Sequence, residues 1–223
     1  MGQGQSWFVE TELVALVVAA ALVLLPSWQG VRHVVTLVHE AGHALVALLT
    51  GRRLNGIRLH RDTSGLTTSV GRPRGPGMIA TAAAGYVAPA GLGLAVLALV
   101  RAEQILWALY LALAVVGFVL AFIRNWYGVL VVLAAGAAGA ALVWRAGPDV
   151  QELAVAVVAW VLLAGAVRAS IDLWAHRRRS RSRTSDADVL ARLTHVPAAV
   201  WNLAFVLVCA GALAWAARPL VVG

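Results

Sequence analysis

The sequence predicts an all-α polytopic membrane protein, a bundle of about six or seven transmembrane helices with a small β-hairpin after the second helix. The chain is 61% hydrophobic and its mean hydropathy is +0.82, values that soluble domains do not reach. Several apolar runs are long enough to cross a bilayer. The basic residues, all of them arginine, are concentrated in a few short loops. We therefore treat residues 1–223 as a single integral membrane domain.

The basic charge is explained by membrane topology. A net charge of +8 on a soluble protein would suggest a nucleic-acid partner. Here the arginines flank apolar runs, where positive charge sets the orientation of membrane helices. We therefore expect the lipid bilayer as partner and no nucleic acid. The single cysteine, Cys209, excludes an internal disulfide.

Hydropathy divides the chain into about seven expected spans. Pro26 closes the first span, and Gly51 follows the second as an expected helix C-cap. The spans are expected at residues 9–25, 32–50, 78–100, 105–123, 127–144, 153–173 and 197–217.

The arginines predict the orientation of these spans. Loop 51–77 and loop 174–196 carry most of them, and Arg124 falls between the fourth and fifth spans. With seven spans all three positions lie on one side, which the positive-inside rule makes cytoplasmic, with the N-terminus inside and the C-terminus outside. Arginine in place of every lysine, with abundant alanine, valine and glycine, is typical of a GC-rich bacterial genome. We therefore expect a bacterial inner-membrane protein.

The first cytoplasmic loop has a β pattern. Residues 56–61 and 66–70 alternate apolar and polar side chains, and residues 62–65 between them suit a turn. The segment is either a solvated connector or an edge strand that binds an extended peptide by strand addition. In the second interpretation we expect Ile57 and Leu59 to bind the substrate.

A metal-binding motif lies inside the second span. His39 and His43 are four residues apart, so on a helix they lie on one face, and Glu40 follows the first of them. This spacing lets both imidazoles bind one Zn²⁺ while the glutamate acts as general base on a zinc-bound water. Ionisable groups at membrane depth are costly, so their presence indicates a function.

A catalytic zinc site needs a third protein ligand. Spacing alone leaves two aspartates open: Asp172, which ends the sixth span, and Asp186, which follows the arginine run. The other candidates on the expected cytoplasmic side are His60, Asp62, His176, Asp188 and His195.

The chain resembles the M50 metalloproteases, the site-2 protease class of intramembrane zinc proteases, and most closely their M50B-like branch. The resemblance covers about residues 30 to 205. It rests on the motif from His39 to His43, the hairpin loop, Ala83-Ala84-Gly85-Tyr86, Arg124-Asn125-x-x-Gly128, Ser170-Ile171-Asp172 and Ser185-Asp186-Ala187. The chain lacks the Leu-Asp-Gly motif of better-known members and has no PDZ-like insertion.

This resemblance implies Zn²⁺ held by His39, His43 and an aspartate, with Glu40 as the base. We favour Asp186 as the third ligand because it belongs to the Ser-Asp-Ala element, and keep Asp172 as the alternative. The expected activity is that of a zinc endopeptidase that hydrolyses peptide bonds of membrane protein substrates. Asn125 is a candidate donor to the developing oxyanion. The alternative function is a non-catalytic zinc-binding membrane scaffold or chaperone, or a small transporter.

Overall fold

Long apolar helices alternate with short connections throughout the chain. A computed structural model describes residues 3–179 and 183–222, so Arg181 of the predicted arginine-rich loop lies outside the described residues. The elements are α1 (Gln3–Leu24), α2 (Trp28–Leu49), β1 (Arg53–Leu59), β2 (Gly65–Val70), α3 (Pro76–Arg101), α4 (Ile105–Phe122), α5 (Trp126–Arg145), α6 (Pro148–Arg179), α7 (Asp186–Thr194) and α8 (Ala198–Val222).

Within the described ranges, five helices are long and apolar enough to cross a membrane: α3, α4, α5, α6 and α8. Helices α1 and α2 pass this test only together, and they meet at a bend of 102°. If this pair counts as one broken span, the number of spans is 6. The predicted fold class, a helical membrane bundle with a small hairpin, is confirmed.

The bend corrects the expected arrangement of the first two spans. Arg101, the last residue of α3, forms an ion pair with Glu12 in the first half of α1 and donates to the Ala216 carbonyl near the end of α8. Further along α1, the Val23 carbonyl accepts from Arg168 towards the end of α6. Helix α1 therefore runs parallel to α6 and antiparallel to α3.

Helix α2 does not return to the start of α1. Its first residue, Trp28, donates to the Asp172 carboxylate at 3.1 Å, and Thr50 after its last residue packs beside Gly77 at the start of α3. Both ends of α2 thus lie at the end of the bundle that carries the hairpin, which we call the arginine-rich end. The start of α1 lies at the opposite end of the bundle, whereas seven full spans would place it at the arginine-rich end.

The core lies mainly between α3 and α6. Gly93 lets α3 approach α6 so closely that an added methyl would lie 2.9 Å from the Ala159 carbonyl oxygen. Leu97, Trp160 and Leu163 are almost completely buried around this contact. Such small residues at helical spacing allow close backbone approach in membrane bundles. This packing fixes the frame on which the polar groups at the arginine-rich end are held.

The two strands form an antiparallel hairpin whose turn differs from the expected one. Leu59 pairs with Gly65, so the turn comprises residues 60–64 rather than 62–65. Strand β1 is covered on its other side, because Ile57 bridges Ile123 and its carbonyl accepts from the Arg124 N–H at 2.8 Å. In the described part of the chain, β2 pairs only with β1, which leaves its outer edge without a backbone partner.

Candidate metal centre

Three side chains meet at the arginine-rich end: those of His39, His43 and Asp186. The two Nε2 atoms of the histidines lie 3.0 Å apart. The Oδ2 atom of Asp186 lies 3.2 Å from each of them. All three offer one ligand atom within 4.8 Å of the others, so this group can hold a metal ion.

Helix α3 supports both histidines. The Thr81 carbonyl lies 2.7 Å from Nδ1 of His43, which leaves Nε2 of that ring to face the cluster. Gly85 packs directly against both rings, and a methyl group there would overlap their Nε2 atoms. On α2, Gly42 packs against Ala88 with no room for a side chain. Close approach of α2 and α3 therefore depends on two glycines.

The start of α7 brings in Asp186. Ser185 is the N-cap of this helix and forms a reciprocal capping box with Asp188. Arg177 near the end of α6 pairs with the buried Asp188 carboxylate at 3.0 Å. Leu190 is buried beneath the helix, so α7 is fixed both by its cap and by its apolar face. The first residue of α7 is thereby held against α2.

The environment of Asp186 favours its charged form. Burial by itself raises the pKa of this carboxyl, but the charge of His43 and the hydrogen bonds with His39 and His43 outweigh burial. The pKa of Asp186 therefore lies well below its usual range. A carboxylate that stays ionised is the form that binds a cation.

Asp172, the alternative third ligand, is used elsewhere. Its Oδ2 accepts from the Trp28 indole at 3.1 Å and lies 3.8 Å from a guanidinium nitrogen of Arg32. It lines a second cavity of about 640 Å³ and is not part of the three-residue group. The structure therefore brings Asp186, and not Asp172, to the two histidines.

Glu40 lies beside this group and contacts the hairpin. Its side chain is 3% exposed, and Thr67 of β2 donates to its Oε2 at 2.6 Å. Gly65 of the same strand packs so closely on the carboxylate that a methyl group there would overlap it. The sequence reasoning missed both contacts, although the alternation of residues 65–70 carries the signal that every second residue shares one face.

A cavity of about 550 Å³ connects these groups. Residues 65–69 of β2 line it together with His39, His43 and Glu40 of α2. Tyr86 of α3 and Asp186 of α7 complete this part of the lining. The Tyr86 ring packs edge-on to His39 with ring centroids 4.7 Å apart. The free edge of β2 thus lies along the same cavity as the three-residue group.

The three predicted substrate residues lie elsewhere. Ile57 and Leu59 are 0% and 2% exposed and belong to the apolar core. The Asn125 amide bonds the Leu59 backbone in both directions, accepting at 3.1 Å and donating at 2.7 Å. None of the three lines the cavity beside the histidines. They hold β1 in place, and the strand next to the cavity is β2.

Comparison with known proteins identifies the family. The family model described as Peptidase M50B-like matches residues 13–216, which is most of the chain. No curated protein and no solved structure gives a match. With its long apolar helices, the chain is an integral membrane protein of a membrane metalloprotease family. It belongs to the M50B-like peptidases.

Proposed function

We propose that this protein is an intramembrane zinc endopeptidase that hydrolyses peptide bonds of membrane-embedded protein substrates. One observation carries the proposal. His39, His43 and Asp186 converge beside Glu40 in a cavity at one end of an apolar bundle. The family match supports a peptidase of this kind.

The three side chains fit zinc. Two imidazole nitrogens and a carboxylate oxygen are ordinary zinc ligands, and three protein ligands are the usual number in a catalytic site. Ligands of a tetrahedral zinc ion, at bonds of about 2.0–2.1 Å, lie on the order of 3.3 Å apart. The observed separations of 3.0 and 3.2 Å are close to that spacing. The Thr81 carbonyl on His43 supplies the outer support that such ligands normally have.

Glu40 has the position of a general base. It follows His39 on α2, and its carboxylate borders the cavity. When bound, zinc would lower the pKa of a water molecule and polarise the scissile carbonyl. Glu40 would take the proton of that water and later give it to the leaving amine. Its burial limits the contact of this residue with bulk water.

The free edge of β2 would receive the substrate. A peptide bond in a helix is protected by intrahelical hydrogen bonds, so a transmembrane substrate must unwind before cleavage. An unwound segment can pair with an exposed strand edge through its backbone, as in strand addition. In this proposal β2 takes the substrate-binding role that the sequence had suggested for Ile57 and Leu59.

The arginine-rich end is proposed to face the cytoplasm of a bacterial cell, by the positive-inside rule. The start of α1 then faces the opposite side, because Glu12 lies beside Arg101 at the other end of the bundle. Thr81 and Gly85, the residues of α3 that contact the histidines, follow Pro76 closely. The cluster therefore lies roughly 8–14 Å from the start of α3.

Glu40→Gln tests the proposal. In the full chain in detergent micelles, we expect this variant to keep its zinc and to lose cleavage of a single-span reporter by roughly 10³-fold or more. Glu10→Gln, an exposed change on α1, is the matched control and should cleave normally. Metal content by atomic emission and cleavage by gel shift are the two measurements. Undiminished cleavage by Glu40→Gln would falsify the mechanism, and zinc binding without cleavage in the unaltered chain would favour a scaffold.

A further inference from the structure

Thr67 touches the side chain that would act as base. Its hydroxyl lies 2.6 Å from Oε2 of Glu40 and 3.1 Å from the carbonyl oxygen of the same residue. A hydroxyl has one proton to donate, and the shorter contact is the one to the carboxylate. Among the described residues, Thr67 is the hydrogen-bond partner of that carboxylate. It therefore decides in which direction the carboxylate points.

The hairpin is tied to α2 next to this contact. The Thr36 hydroxyl, one helical turn before Glu40, donates to the Thr63 carbonyl in the turn at 2.8 Å. Gly65 allows the strand to lie directly on the Glu40 carboxylate. These contacts bring β2 to a fixed distance from α2, so the threonine hydroxyl reaches the carboxylate without displacing either element.

The side chain and the backbone of Thr67 face different neighbours, because of the geometry of a strand. Side chains of a strand stand roughly perpendicular to the sheet, while the backbone N–H and C=O groups point sideways in its plane. Gly65, Thr67 and Ser69 are the half-buried residues of β2, and Leu66, Thr68 and Val70 are exposed. Thr67 therefore directs its side chain at Glu40 while its backbone belongs to the edge that lines the cavity.

We propose that Thr67 is a positioning residue that aims Glu40 and couples this aim to the peptide bound at the β2 edge. The inference rests on the proposed function, since it gives a role to the base of that reaction. The contact is present without a peptide. A peptide paired with β2 adds backbone hydrogen bonds to the same strand, so the threonine holds the carboxylate in this orientation while the peptide is bound.

The experiment separates this role from mere support of the fold. Thr67→Val keeps the shape of the side chain and removes the hydroxyl, and Thr67→Ser keeps the hydroxyl. Thr11→Val makes the same change on α1, at a half-buried residue that does not line the cavity. All variants are tested as full chains in detergent micelles, with one single-span reporter of fixed sequence. kcat, KM and bound zinc are measured for each.

We expect Thr67→Val to lower kcat by about 10–100-fold with KM and zinc content changed less than about twofold. Thr67→Ser should recover most of the loss, and Thr11→Val should behave like the unaltered chain. Equal kcat in Thr67→Val and Thr11→Val overturns the inference. So does a loss of zinc, or a rise in KM that Thr67→Ser fails to correct, because either indicates a structural role.

The Glu40→Gln variant keeps the two proposals distinguishable. If it is inactive and Thr67→Val is fully active, the positioning role is wrong while the proposed function stands. If Glu40→Gln cleaves normally, the proposed function itself fails, whatever Thr67→Val does.

Discussion

The helix pair α3 and α6 and the helix pair α4 and α5 are both apolar, yet they differ in burial. In an apolar stretch of 18 residues within each helix, 39% of residues are buried in α3 and 50% in α6. The corresponding shares are 17% in α4 and 11% in α5. Large side chains such as Trp107, Leu130 and Trp144 of the second pair face outward. The second pair therefore has a surface suited to lipid, and the first forms the interior.

This difference separates two tasks. Helix α3 touches the histidines through Thr81 and Gly85, and α6 holds α7 through Arg177. The pair α4 and α5 supports the hairpin through its connection, where Ile123 and Asn125 hold β1. We therefore expect changes in the inner pair to affect metal binding, and changes in the connection of the outer pair to affect the hairpin.

The largest expected effect is on metal affinity. Asp186→Asn removes the carboxylate that lies against both histidines, so zinc affinity should fall at least about 100-fold, more than for an outer-shell partner. Competition with a chelating dye measures it. Asp172→Asn is the control, because that carboxylate lies outside the three-residue group. Equal losses in the two variants would contradict the assignment.

Gly85→Ala should be next. Its methyl group would overlap the Nε2 atoms of His39 and His43, so the rings must turn away from the cluster. Zinc affinity should fall about 10–100-fold while the chain stays folded. Gly91→Ala lies in the same helix with nothing within 4 Å of the added methyl, and should bind zinc normally. An unaltered affinity in Gly85→Ala would show that α3 does not support the ligands.

Asn125→Ala tests the outer pair. It leaves both backbone groups of Leu59 without their side-chain partner, which should destabilise the hairpin by roughly 2 kcal/mol. We expect cleavage to fall about 10-fold and zinc affinity to change less than twofold. Hydrogen exchange over residues 53–70 reports the loosening. Trp126→Leu, at an 80% exposed neighbour, is the control. A loss of zinc in Asn125→Ala would contradict the assignment of metal binding to the inner pair and hairpin support to the outer pair.

A pair of glycines compares the packing of the two helix pairs. Gly93→Ala meets the Ala159 carbonyl oxygen at 2.9 Å, and rigid backbone cannot yield, so unfolding free energy should drop by about 1–3 kcal/mol. Gly139→Ala on α5 meets only the tip of Leu113 at 2.9 Å, and the side chain can turn aside toward the lipid. Its effect should stay within about 0.5 kcal/mol. Thermal unfolding in detergent compares them, and the reverse order would refute the inner and outer assignment.

Much of this fold follows from simple patterns in the sequence. The apolar runs predict the helices, and the alternation after Gly51 predicts the hairpin. The bend after α1 could not be predicted, because hydropathy reports only that a run is long and apolar. Two consecutive apolar runs have the same hydropathy whether their helices cross the membrane in opposite directions or meet at an angle of 102°. The direction is decided by contacts distant in sequence, such as Arg101 with Glu12.

The site was predictable to a similar extent. Helical spacing suffices to bring His39 and His43 together, because both lie on one element. Asp186 comes from the far end of the chain, and spacing gives no measure of that distance. The capping pair of Ser185 and Asp188 indicates where α7 begins, but not what it packs against. The contact of Thr67 could not be predicted for the same reason. Alternation predicts which residues share its face of the strand, and only the tertiary fold shows that Glu40 lies opposite.

The bend between α1 and α2 also has a consequence for the cell. The metal-ligand cluster lies at one end of the bundle, so in the proposed reaction water would reach it from that end. Toward the other end, Val96, Leu97 and Trp160 form a tightly packed apolar layer. Ions find no polar path through such a layer, because an unpaired charge in an apolar interior is very costly. A peptidase of the proposed kind could thus bring water to one end of its bundle while the apolar layer toward the other end remains a barrier to ions.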